Sequence, residues 1–110
     1  MDPKIQTMVK AVVRRDPTLG PLQALERVEA KLVSVINNQR APDTDVATTL
    51  GIFKAIDEAS GRPEFLEDPK LAKAYTTGVD TEPATFWSRW WTPMLNHRNE
   101  LWRTIHAQDS

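Results

Sequence analysis

The sequence predicts an all-α protein, a small single-domain bundle of four to six helices. Three observations lead there. Apolar residues recur at helical spacing through most of the chain, Asp-Pro or Pro openings and Gly stops punctuate it, and almost no segment alternates apolar and polar residues as a half-buried strand does. A length of 110 residues suits one domain with one core.

Asp2-Pro3 reads as an N-cap followed by proline at the first helical position. Ile5, Met8, Val9, Val12 and Val13 then form an apolar face, Arg14 and Arg15 suit the negative end of the helix dipole, and Asp16-Pro17 ends the helix. Pro21 opens a second helix to about Arg40, striped by Leu22, Leu25, Val28, Leu32, Val35 and Ile36. Val33 falls outside that stripe, which predicts contact on a second side of the helix. After Pro42, the alternatives Asp43, Thr44 and Asp45 can cap a third helix that ends at Gly61. Its apolar set is Val46, Leu50, Ile52, Phe53 and Ile56. Gly51 costs that helix about 1 kcal/mol relative to alanine, as a glycine retained for close approach of a neighbour would. Phe65 and Leu66 are expected to tuck against the core from a short turn. Asp68-Pro69 opens a short helix with Leu71, Ala72 and Tyr75 inward and Gly78 as its stop. Thr81-Glu82-Pro83 repeats the opening device. In the final helical region Pro93 predicts either one kinked helix or two helices meeting at Thr92-Pro93.

Composition removes several function classes. Fourteen Lys+Arg against fifteen Asp+Glu leave a net charge of −1, unlike the basic footprint of a general nucleic-acid binder. The absence of cysteine excludes disulfides, Cys-containing zinc sites, iron–sulfur clusters and thiol nucleophiles. No apolar run approaches the roughly 20 residues of a membrane span, and Met1-Asp2-Pro3-Lys4 is not laid out as a signal peptide; a cytoplasmic location is expected. The charge is uneven, at +3 over residues 1–42, −5 over 43–82 and +1 over 83–110. Solvated helix faces scatter charge in this way, and the same asymmetry can orient a partner or a second copy.

No catalytic set emerges. His97 and His106 are nine residues apart, on opposite sides of a helix, and cannot act as an i, i+4 metal pair. Asn96-His97-Arg98-Asn99-Glu100 has the His-Asn pair of some nucleases without their hairpin context, and His97 reads as a rim histidine. Asp43-x-Asp45 lacks the glycine and terminal glutamate of a calcium loop, so capping explains it better. Glu64, Glu67 and Asp68 read as capping and solvating carboxylates. The four glycines form no phosphate-binding loop. The chain is therefore expected to be no enzyme and to carry no metal or cofactor. Lys31, Asn37, Asn38, Gln39 and Arg40 are the best imitation of a DNA-recognition helix, but Ala41-Pro42 leads into acidic residues rather than a compact partner helix.

All four tryptophans fall in the last 24 residues, at Trp87, Trp90, Trp91 and Trp102. Most are expected in the core. Trp90 and Trp91 are about 100° apart on a helix, so both cannot point straight inward, and one of them is free to serve an interface.

The stretches Lys31-Leu32-Val33-Ser34-Val35-Ile36-Asn37-Asn38 and Ile52-Phe53-Lys54-Ala55-Ile56-Asp57, together with the tryptophan-rich tail, resemble the QslA-like quorum-sensing antiactivators. The likeness is one of length, helical layout and character, and no motif carries site residues across. It implies a protein that binds the ligand-binding domain of a LuxR-type transcription factor, LasR-like, and blocks its dimerisation and DNA binding. The surplus apolar residues Val33, Val35, Ile36, Leu50, Ile52 and Phe53, with Trp90 or Trp91, are the expected partner-binding set. The same surplus can equally serve self-association, and a homodimer is the default expectation. Another small helical inhibitor, an immunity protein, or a small DNA-binding regulator is the alternative.

Overall fold

Aspartate and proline open most of the helices. The computed structural model describes residues 2–39 and 45–109, and no strand occurs among them. Helix α1 (Pro3–Arg15) starts at Asp2, whose carboxylate accepts the Lys4 N–H at 2.8 Å, with Pro3 in the first turn. Asp16 closes it and then accepts the Thr18 N–H at 3.1 Å, reversing the chain into α2 (Pro21–Gln39). Asp45 caps α3 (Val46–Ser60), which Gly61 stops at a left-handed φ of 63°. The other expected caps, Asp43 and Thr44, lie outside the described residues, as do Arg40, Ala41 and Pro42. A single turn, α4 (Pro63–Leu66), leads to α5 (Pro69–Asp80), where Asp68 accepts the Leu71 N–H at 2.9 Å. Pro83 starts α6 (Pro83–Thr85) without a side-chain cap, so only the proline half of the Thr81-Glu82-Pro83 device operates. A π turn at Phe86–Trp90 carries the chain into α7 (Trp91–Asp109).

The irregularity expected at Thr92-Pro93 sits one turn earlier. The Trp91 N–H bonds to the Phe86 carbonyl, five residues back, and α7 runs through Pro93. Proline offers no N–H to the carbonyl four residues before it and crowds that carbonyl with its ring. A widened turn just upstream relieves both problems without breaking the helix.

Helix α3 is the central element, packed against α1, α2, α4 and α5. The core around it joins Leu50, Phe53 and Ile56 to Ile5, Leu25, Val28, Phe65, Leu71, Phe86, Trp87, Trp91, Met94, Trp102 and Ile105. Aromatic rings meet edge to face, Phe65 with Trp102 at 4.8 Å and Trp87 with Trp91 at 5.0 Å between centroids. Leu66 departs from expectation at 52% exposure, because a one-turn helix has one inward place and Phe65 takes it. In α5 the inward partner of Leu71 is Ala74, and Ala72 faces out.

Two glycines depart from their expected roles. Gly78 does not stop α5 but lies buried inside it, where an added Cβ would sit 2.7 Å from Leu50 Cδ1 and 3.1 Å from Phe86 Cε2. Here the helix approaches its neighbours so closely that a Cβ would have to push the buried Leu50 and Phe86 side chains aside. Gly51, the expected contact glycine, is exposed, with nothing within 4 Å of an added Cβ. Gly51→Ala should therefore stabilise the fold by about 0.5–1 kcal/mol through helix propensity alone. Gly78→Ala should destabilise it by about 1–2 kcal/mol, overpacking outweighing the same propensity gain. Urea-unfolding midpoints of the two variants, moving in opposite directions, check both assignments.

Candidate functional site

Polar chemistry concentrates first around Arg98, which is fully buried. Its Nε and Nη2 donate to Glu29 Oε1 at 3.1 and 2.5 Å, and its Nη1 donates to Asp57 Oδ2 at 3.0 Å and to the Tyr75 hydroxyl oxygen at 2.5 Å. Asp57 Oδ1 lies 2.7 Å from Nη2, and the Tyr75 hydroxyl donates to Asp57 Oδ2 at 2.5 Å. Phe53 and Phe65 place their rings 4.9 and 5.0 Å from the guanidinium carbon. Burial opposes the charge on Arg98, but Glu29 and Asp57 outweigh it and raise its pKa, so the guanidinium stays protonated. Burial pushes the Asp57 carboxyl above its ordinary value against the pull of Arg98, and burial also pushes the Tyr75 phenol up. Every member faces another member or an aromatic ring. The cluster is a clamp joining α2, α3, α5 and α7, with the guanidinium edges already taken.

Glu29 is one of a row. Glu26, Glu29, Val33 and Asn37 follow one stripe of α2, and the C-terminal helix answers each polar member. Glu26 pairs with His106 Nε2, Glu29 with Arg98, and Asn37 Oδ1 accepts the Trp91 Nε1–H at 2.8 Å. Val33 sits within this seam, half-buried, which is the second side that its place outside the apolar stripe predicts. His97 Nε2 is 2.9 Å from both Asp68 oxygens, so one carboxylate caps α5 and braces α7. Burial pushes Asp68 up, yet the Leu71 N–H and His97 together hold it below the ordinary range. Asp45 caps α3, and among the described residues no three His, Asp or Glu side chains gather into a metal-sized set.

The opposite side of α2 meets α1, and there the surface is open. Between the two antiparallel helices runs a groove of about 630 Å³. Val12, Val28 and Leu32 line its depth, Met8 and Val35 stand at one end, and Arg15, Arg27 and Lys31 rim it with Asp16. Ala11 and Ala30 add little bulk to its walls, which keeps it open. Met8 is 37% and Val35 43% exposed, unusual for large apolar side chains facing each other across a cleft.

The expected partner-binding set divides in three. Leu50, Phe53 and Trp91 belong to the core and offer a partner no surface, which corrects their assignment. They sit on the faces of α3 and α7 that must fill the space around Gly78 and Arg98. Val33, Ile36, Ile52 and Trp90 are half-buried and pack against the core. Between the two adjacent tryptophans, Trp91 is thus the inward one and Trp90 the one left partly exposed. Val35 alone lines the groove. Sequence reasoning missed Met8, Ala11, Arg15 and Lys31 as its companions. The available signal was Met8 on the edge of the α1 stripe, seven residues from Arg15 of the basic last turn and so on the same helix face. No protein-family model, curated protein or solved structure matches this chain.

The clamp makes a direct prediction. Arg98→Met leaves Glu29 and Asp57 without their cation and should cost about 3–5 kcal/mol at neutral pH, while Asp57→Asn keeps the Arg98–Glu29 pair and should cost far less. Asp57 binds its proton more tightly in the folded than in the unfolded chain, so its ionisation opposes folding at neutral pH. Wild type should therefore gain stability relative to Asp57→Asn as pH falls through the folded pKa toward the unfolded value of 3.8. Urea unfolding of both variants across pH measures it.

Proposed function

We propose that this chain is a non-enzymatic regulator that acts by binding another protein: a quorum-sensing antiactivator. Its partner in this reading is the ligand-binding domain of a LasR-like, LuxR-type transcription factor, whose dimerisation and DNA binding it blocks. The groove between α1 and α2 carries the reading. Among the described residues four large apolar side chains remain exposed, and two of them, Met8 and Val35, face this one cleft beside a basic rim. Concave apolar surface with charged edges is what a binding domain requires, and competition with a homodimer interface needs no reacting group. The polar clusters support the same view, since their donors and acceptors are engaged in holding helices together. For the partner, the support is the resemblance of the Lys31–Asn38 and Ile52–Asp57 stretches and the tryptophan-rich tail to QslA-like antiactivators.

Blocking works by mass action: a partner monomer held by the chain is withdrawn from the dimer. An interface of standard size, about 800 Å² on each side, is within reach of a domain this small. Self-association would draw on Leu66 and Val79, the other exposed apolar pair. The DNA-binding alternative is weakened because Asn37 is engaged by Trp91 rather than free to read a base edge.

Mixed with a LasR-like ligand-binding domain, the chain should give a stoichiometric complex by size exclusion with light scattering. It should also release the full-length factor from its operator without retarding duplex itself. Absence of the complex, or retardation of duplex by the chain alone, sinks the reading.

A further inference from the structure

We infer that the α1–α2 groove receives an acidic amphipathic helix of a partner protein; this rests on the protein-binding reading above and names the chemistry of the bound element. The groove has direction. One wall runs from Met8 to Arg15 on α1, and the other, antiparallel, from Val35 through Lys31 to Arg27 on α2. One end is therefore apolar and the other basic. At a rise of 1.5 Å per residue, the spans 8–15 and 27–35 are each about 11–12 Å long, two turns of a helix. That length fits an apolar stripe at i, i+3, i+4 and i+7 laid along the cleft, the geometry of helix-in-groove recognition.

Charge selects the occupant. Asp16 interacts with Arg27, while Arg15 and Lys31 have no carboxylate partner among the described residues. A helix with glutamate or aspartate flanking its apolar stripe would supply the missing counter-charges. A second copy seated groove on groove would set Arg15, Arg27 and Lys31 against the same three cations if the grooves ran parallel, and against the apolar Met8–Val35 end if they ran antiparallel, and neither arrangement matches the charge of the cleft. Nucleic acid fits poorly, because its phosphates would meet the rim cations but nothing in a phosphate backbone would cover the apolar Met8, Val12, Leu32 and Val35.

The probe is a fluorescein-labelled synthetic peptide of about four helical turns, with leucine at i, i+3, i+4 and i+7 and glutamate on both flanks. Fluorescence anisotropy against the full chain should show saturable binding that weakens with added salt. The same peptide with lysine for glutamate should bind at least about tenfold more weakly. Val35→Glu and Lys31→Glu each alter an exposed side chain, should leave helicity by circular dichroism unchanged, and should each lower affinity about tenfold. Each of these results overturns the inference: no binding of the acidic peptide, equal binding of the lysine peptide, unchanged affinity in both variants, or a homodimer that Val35→Glu dissociates. The two readings separate cleanly. A LasR-like complex that survives Val35→Glu and Lys31→Glu keeps the antiactivator and overturns the groove, while acidic-peptide binding without that complex keeps the groove and overturns the partner.

Discussion

A single buried cation governs how these helices can be arranged. Arg98 has no exposed surface, and a guanidinium in that position is tolerable only if its donors are met and its charge is balanced. Its partners come from three other helices: Glu29 from α2, Asp57 from α3 and Tyr75 from α5. The planar fork sets direction as well as distance, so the rotation of each helix about its axis is specified along with its position. A lysine could place a charge there but could not meet two carboxylates and a phenol from fixed angles while lying between two aromatic rings. Two carboxylates share one guanidinium in the interior, and burial, with a smaller push from the Glu29 charge, raises the Asp57 pKa against the pull of Arg98.

From that constraint the two-sidedness of α2 follows. With Glu29 committed to Arg98, the Glu26–Glu29–Asn37 stripe must lie along the C-terminal helix, and its neighbours on the wheel fall into place against His106 and Trp91. The opposite side of α2 is then all that remains for α1. Gly78 completes the geometry from the other direction by letting α5 close on Leu50 and Phe86. Thus the same packing that buries three of the four tryptophans leaves the Val35 edge of α2 facing outward.

What could be read from the sequence was local, and what could not was distant. Asp2, Asp45, Asp68 and Gly61 act within three or four residues of themselves, so their capping roles are visible in the chain. The single-domain all-helical class follows from the same short-range signals. Gly51 and Gly78 look alike in sequence because their difference is what stands opposite them in space. Trp90 and Trp91 likewise differ only by the face that α7 turns toward Phe53, whose ring lies 5.7 Å from Trp91. Arg98 was concealed by polar neighbours, Asn96 to Glu100, which read as a solvent face. A clue was nevertheless present: Trp91, Met94, Arg98, Trp102 and Ile105 keep helical spacing, so the arginine occupies an inward place in an otherwise apolar stripe. The groove was illegible for another reason. It depends on how α1 and α2 cross, and their individual apolar stripes indicate burial rather than a residual cleft.

The groove also inherits unequal walls. Its α2 wall is tied on the far side by Glu26, Glu29 and Asn37 and cannot shift without breaking the buried clamp. Its α1 wall is held more lightly, since Ile5 is the only fully buried residue of that helix and Val9 and Val12 are half covered. A binding surface with one rigid wall loses little entropy on association, and one with a compliant wall can adjust its width to the side chains it receives. Stability is therefore spent unevenly across this small domain. The buried ion pairs lie deep between α2, α3, α5 and α7, and the exposed apolar side chains Met8 and Val35 lie at the edge where a partner helix would enter.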